Sequence, residues 1–237
     1  MAAPTCGTPT VAATTGGSTT LSVTAPTMSD GDLLIAFASS GDSSGRDISP
    51  PSGWAAIHSI GPVPLSPNGD DYFRVWYKKI VTAAGEPSSY DFTLGDSYTF
   101  AKCMIVAVTG ADDPATTAIV VATDYDITSG TLTVSPGITP TVNDSLILRH
   151  IYDARGSQTY TWASSTEILD ANATQFSFGT AKTTGGTGGV AAENVTISSD
   201  WHEEYRHVVL SIAPTGGGAA ATSFPLRRRS FRHLIGR

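Results

Sequence analysis

Every second residue is apolar in many short stretches of this chain. Residues 19–24 set Leu21 and Val23 between polar neighbours, and residues 72–81 set Phe73, Val75 and Tyr77 against Tyr72, Arg74, Trp76 and Lys78. A period of two sends successive side chains to opposite faces of a strand, so both stretches predict half-buried β-strands. Residues 33–38 are apolar without interruption. Such a run predicts a strand covered on both faces or bent across a core. Stretches 54–60, 118–122, 131–134, 145–152, 162–169, 175–183, 194–198 and 206–212 complete the expected strands. No segment of the chain carries a 3.6-residue period long enough for more than a turn or two of helix. Gly and Pro punctuate the strands, with polar loops at 41–53, a proline-rich loop at 61–71 and a glycine-rich tip at 183–189.

The pattern occurs twice. Gly31-Asp32-Leu33-Leu34-Ile35-Ala36-Phe37 is echoed by Asn143-Asp144-Ser145-Leu146-Ile147-Leu148-Arg149. Ser52-Gly53-Trp54 is echoed by Tyr160-Thr161-Trp162, Tyr90-Asp91-Phe92-Thr93-Leu94 by Glu193-Asn194-Val195-Thr196-Ile197, and the run from Phe100 to Val108 by that from Tyr205 to Ile212. Offsets read from Asp32, Trp54 and Cys103 are 112, 108 and 105 residues. The expected fold is all-β: a jelly-roll-like, two-sheet sandwich built from two similar halves, about 18–112 and 131–213, within a domain spanning 1–214. Each half would cover the apolar face of the other.

Charge separates the C-terminal end from this body. Residues 1–214 hold all 21 acids and 9 of the 14 Lys and Arg residues, a net charge of −12, whereas residues 215–237 hold five arginines and no acid. Residues 215–222 read as a Gly/Ala-rich linker. Beyond it Phe224, Leu226, Phe231, Leu234 and Ile235 alternate with Arg227, Arg228, Arg229, Arg232 and Arg237. A purely solvated tail has no use for those apolar residues, so this segment is expected to dock on an acidic protein neighbour, with the apolar residues as anchors. Phosphate neutralisation is the weaker reading, since the acidic body opposes broad nucleic-acid binding.

Other motifs add little chemistry. His202 and His207 are five residues apart in a strand context, where a zinc-binding pair needs four on a helix. Gly41-Asp42-Ser43 and Gly95-Asp96-Ser97 lack the helix that follows a nucleophilic serine. Asp112, Asp113, Asp124 and Asp126 match no calcium-loop spacing. Trp54 and Trp162 read as core, while Trp76 and Trp201 are candidate platforms for stacking a sugar. Cys6 and Cys103 allow a disulfide on count alone, with two free thiols the simpler reading. The expectation is no cofactor, no metal and no catalytic residue. The start of the chain lacks a signal-peptide pattern, and no run approaches the ~18 apolar residues of a membrane helix, so synthesis in a cytoplasm is expected.

Taken together, Gly31-Asp32-Leu33-Leu34-Ile35-Ala36, Pro50-Pro51-Ser52-Gly53-Trp54, Trp76-Tyr77-Lys78-Lys79-Ile80 and Glu86-Pro87-Ser88-Ser89-Tyr90 resemble a sandwich domain that recurs in tailed-bacteriophage structural gene clusters. The resemblance covers about residues 18–213 and does not include the basic arm. It implies a non-enzymatic virion protein, such as a capsid decoration (cement) protein or a head or tail accessory protein. Its partners would be capsid or tail subunits, with a homo-oligomer expected and no membrane. The competing reading is a carbohydrate-binding or host-adhesion module using Trp76 or Trp201.

Overall fold

The computed structural model describes residues 2–42, 47–65, 69–95, 100–126, 131–153, 158–172, 177–198 and 205–216. Strands dominate them, and the one helical element is a 3-10 turn at Ala83–Gly85. The first half comprises β1 (Thr5–Cys6), β2 (Thr10–Thr15), β3 (Thr20–Thr24), β4 (Leu33–Asp42), β5 (Ile48–Ser49), β6 (Ala55–Leu65), β7 (Gly69–Lys79), β8 (Ser89–Leu94) and β9 (Phe100–Thr109). The second half comprises β10 (Val120–Asp126), β11 (Leu132–Ser135), β12 (Ser145–Asp153), β13 (Tyr160–Trp162), β14 (Thr166–Asn172), β15 (Ser177–Gly185), β16 (Glu193–Ile197) and β17 (Tyr205–Ile212).

Hydrogen bonding repeats between the halves. In the first, β9-β4-β7-β6 form a large sheet whose outer edge beside β9 is shared by β1 and β2, and β3-β8-β5 form a small one. In the second, the orders are β10-β17-β12-β15-β14 and β11-β16-β13. With β1 and β2 taken as one strand, each half reads 1-8-3-6-5 and 2-7-4. This is jelly-roll connectivity, with the fifth strand carried on the larger sheet. The all-β sandwich of two similar halves therefore stands, with one refinement: each half brings two sheets, not one.

Four layers result, because alternate residues of the large sheets enter different cores. Leu33, Ile35 and Phe37 of β4 join Met104, Val106 and Val108 of β9 against Leu146, Leu148, Tyr152, Val208 and Leu210 of the second half. Leu34, Ala36 and Ala38, with Cys103, Ile105 and Ala107, face the small sheet through Leu21, Val23, Tyr90 and Phe92. Ile151, Ala181 and Tyr205 do the same against Tyr160, Val195 and Ile197. The central strands of the large sheets are thus covered on both faces, which is why β4, β9, β12 and β17 are buried without alternation. Each fully buried Leu, Val, Ile or Phe contributes ~1.5–3 kcal/mol, so the seam between the large sheets outweighs any single polar contact worth about 1 kcal/mol.

Strand register fixes which residues correspond. Leu33 pairs with Val108, and Leu146 pairs with Ile212. Leu33 therefore matches Leu146, 113 residues on, and Val108 matches Ile212, 104 residues on. Two further features agree. Gly31 (φ 85°) and Asp144 (φ 60°) hold the left-handed turn two residues before each leucine. The edge strands β6 and β14 share a register shift, between Ala56 and His58 and between Glu167 and Leu169, and β6 shifts again between Ile60 and Val63. The echoes with offsets of 112 and 105 are thus one residue out of register. Trp54 and Trp162 are not equivalent: Trp54 precedes β6, whereas Trp162 lies in β13.

Correct register makes the seam pseudo-symmetric. Phe37 and His150 occupy equivalent places and stack on each other, rings 4.3 Å apart and 11° from parallel. Phe73 and Phe178, also equivalent, flank the same imidazole at 5.6 and 4.8 Å. The ends of the halves are tied by Asp112 N–H to Ala213 C=O and Thr215 N–H to Gly110 C=O. Phe37→Ala should cost about 3–5 kcal/mol in denaturant unfolding, because it opens a cavity where the halves meet. A loss below about 1 kcal/mol would show that the seam does not hold the fold together.

Candidate functional site

Polar side chains interrupt the apolar interior at several places among the described residues, two of them with charged groups held by protein partners. The first lies at the seam, near the start of β9 and the end of β14. Lys102 is 1% exposed, donates to the Ala171 carbonyl and lies 4.8 Å over the Phe178 ring. Burial pushes its ammonium down to about 7, against the opposing pull of the Asp170 charge. Asp170 accepts from Tyr160 N–H at 3.0 Å, and burial raises its carboxyl to about 6. His150 is fully buried, with Nδ1 2.8 Å from Thr180 Oγ1 and Nε2 lacking a hydrogen-bond partner. Burial, reinforced by Lys102 and His207, holds the imidazole well below its usual range, hence neutral. Arg206 is the positional equivalent of Lys102 and is equally buried.

Behind the seam, Tyr160 OH lies 2.8 Å from Ser177 Oγ within the core of the second half. The Tyr160 ring requires glycine at 179, where a Cβ would stand 2.5 Å from its Cδ2. Gly179 corresponds to Arg74 of the first half, whose guanidinium instead bonds Asp47 at 2.7 Å and the Ile60 carbonyl.

The second polar place is the Arg149–Glu193 pair, with side chains 1% and 5% exposed and Nε 2.9 Å from Oε1. Arg149 also donates to Ser135 Oγ and to the carbonyls of Pro136 and Ala191. Glu193 accepts from the backbone N–H and hydroxyl of both Ser164 and Ser165. Burial alone would raise the Glu193 carboxyl, but the serine bonds and the Arg149 charge outweigh it and hold it below its ordinary value. These contacts satisfy most of what two buried charges require, so the pair locks β12 to the loops beside β13 and β16.

Lys102, His150, Arg149 and Glu193 are enclosed by protein, whereas Asp170 is half-buried. A shallow cleft of about 280 Å³ lies along the seam between Cys6, Thr8, Pro9, Ile168 and Lys182. Burial raises its Cys6 thiol more than the Lys182 charge lowers it, which disfavours the thiolate. Cys6 and Cys103 are both free.

The expected site residues separate clearly. Trp76 is 5% exposed and packs on Phe92 in the first-half core, so its face is not offered to a glycan. That candidacy is withdrawn, for a physical reason: Trp76 points toward β8, opposite the face carrying Phe73 and Val75. Trp201, His202 and the arm residues Phe224, Leu226, Arg227, Arg228, Arg229, Phe231, Arg232, Leu234, Ile235 and Arg237 lie outside the described residues. His207 is buried beside Thr133 Oγ1 at 3.0 Å. Asp112 and Asp113 accept bonds from Thr117 Oγ1 and Ala115 N–H within their own turn. Among the described residues no cluster of three metal-ligating side chains occurs, and no helix is long and apolar enough to cross a membrane. Sequence reasoning passed over Lys102, Arg149 and His150. A charged or imidazole side chain inside an otherwise apolar strand was the available signal.

Lys102 and Glu193 give opposite tests. The native ammonium titrates near 7, far below its ordinary 10.5. Above about pH 7 the unfolded chain therefore holds a proton that the native chain releases, and stability rises with pH by at most ~1.4 kcal/mol per unit. The stability difference between wild type and Lys102→Met should change with that slope between about pH 7 and 9; a flat difference refutes the buried-cation assignment. Glu193→Ala strands Arg149 in the core and should cost about 3–5 kcal/mol in urea unfolding, whereas an exposed pair would cost under ~1 kcal/mol. Comparison of the chain with protein families, curated proteins and solved structures returns no match.

Proposed function

We propose that the protein is a non-enzymatic structural component of a tailed-phage particle. In this reading it is a capsid decoration or head/tail accessory protein held on neighbouring subunits by its C-terminal arm. The observation that carries the reading is a division of labour along the chain. Residues up to 216 form a doubled scaffold whose buried charges are engaged by its own backbone and side chains. The arm has no counterpart in the repeat, and it alone combines five arginines with a row of apolar residues. Jelly rolls serve as capsid and lectin domains, so the fold suits either a particle role or a sugar-binding one. With Trp76 in the core, the glycan reading rests on Trp201 alone.

Particles assembled with the chain truncated after residue 216 should lose most of the bound protein, while the isolated truncated protein, which keeps the Thr215–Gly110 tie, keeps its unfolding midpoint. Undiminished occupancy by the truncated chain would sink this reading. A glycan array on which Trp201→Ala abolishes a specific signal would favour the adhesion module instead.

A further inference from the structure

Corresponding positions of the two jelly rolls differ sharply on one surface. On the outer face of the small sheet of the first half stand Thr20, Ser22, Asp91 and Thr93, all exposed. Their equivalents in the second half are Leu132, Val134, Asn194 and Thr196. Leu132 is 55% exposed and Val134 44%. One copy of the same scaffold thus presents two threonine-type positions as large apolar residues and loses a carboxylate. Scaffold stability does not require this, since the twin face does without it. The edge of the sheet differs too. In the first half β2 lies against β3, with Thr10 Oγ1 donating to the Thr24 carbonyl, whereas β11 is an outer strand of its sheet among the described residues.

Charge points to what fits there. Residues 112–214 hold 12 acids and four basic residues, a net charge of −8, against −4 for residues 1–111. The complementary object in this sequence is the arm: five arginines, no acid, and apolar Phe224, Leu226, Phe231, Leu234 and Ile235. An apolar patch on an acidic body matches a basic segment with apolar anchors in both respects.

We propose that the outer face of β11 and β16, centred on Leu132 and Val134, receives residues 224–237 of a second copy of this chain. The inference rests on the arm acting as a fastener and names its partner and its surface. Arm and patch are different surfaces, so the contact is heterologous: each copy offers one of each, and copies join head to tail into rings or rows. Arginine pairing makes the association weaken as salt rises, while the apolar anchors set a floor that salt does not remove.

Complementation tests this directly. Three proteins are compared by light scattering after size exclusion: the full chain, a chain truncated after residue 216, and the full-length Leu132→Asp/Val134→Asp variant. Both substituted positions are exposed, so the fold tolerates them. The full chain should associate, and each variant alone should associate about 10- to 100-fold more weakly. Mixed together, the two variants should form one-to-one pairs, since one supplies the patch and the other the arm. Thr20→Asp/Ser22→Asp on the twin face should associate like the unaltered chain.

A full chain that stays monomeric, a Leu132/Val134 variant that associates normally, or a mixture that fails to pair each overturns the proposal. A monomeric full chain whose truncation still abolishes particle binding would place the arm on a different virion protein. The surface assignment then fails and the particle role stands. Undiminished particle binding by the truncated chain defeats the particle role itself.

Discussion

The contact between the two large sheets decides the rest of the architecture. A single jelly roll needs only one covered face per sheet, and the outer face of its larger sheet would ordinarily be polar. Here Leu33, Ile35, Phe37, Met104, Val106 and Val108 make that face apolar, and the same positions of the second half make the matching face. Neither half can leave this surface in water, so the chain folds as a pair. The pairing is nearly self-complementary, with Phe37 meeting its equivalent His150 at the centre. One difference breaks the symmetry: an imidazole stands where the twin has a phenyl ring.

Placing polar groups in such a seam has consequences for chemistry. Lys102 and His150 are each shifted toward neutrality by loss of water, with Asp170 raised in the same neighbourhood. Shifts of this kind accompany catalytic sites, but they also accompany buried groups held by protein partners. Lys102 bonds a backbone carbonyl, and His150 is packed between Phe37 and the aromatic rings of Phe73 and Phe178. Their environment assigns them to the joint between halves, and it directs attention for function to surfaces where the repeat is broken. Leu132, Val134 and the arm are such departures.

Much of this was legible in the residues. Alternation in residues 20–24 gave β3, and the unbroken apolar run of β4 signalled a strand covered on both faces. Duplication was visible as well, but not its register. A slip of one residue moves every side chain to the opposite face of a sheet. Asp32 and Asp144 align by eye, yet the turn geometry equates Gly31 with Asp144. Local identity cannot reveal this, since both faces of the large sheets are apolar. Trp76 was misread for the same reason: in a strand covered on both sides, the face opposite Phe73 and Val75 is another core. The partners of Lys102 and Arg149 were out of reach for a different reason, because Ala171 lies 69 residues from Lys102 and Glu193 comes from another sheet.

Native-state hydrogen exchange of backbone amides along β4, β9, β12 and β17 tests the central claim most directly. If the seam makes the two jelly rolls one cooperative unit, the slowest amides in both halves exchange with the same opening free energy, and their denaturant dependence matches that of global unfolding. Exchange of the slowest amides in β12 and β17 at a free energy well below that of β4 and β9, or the reverse, would mean that one half opens while the other stays folded, and would contradict the account.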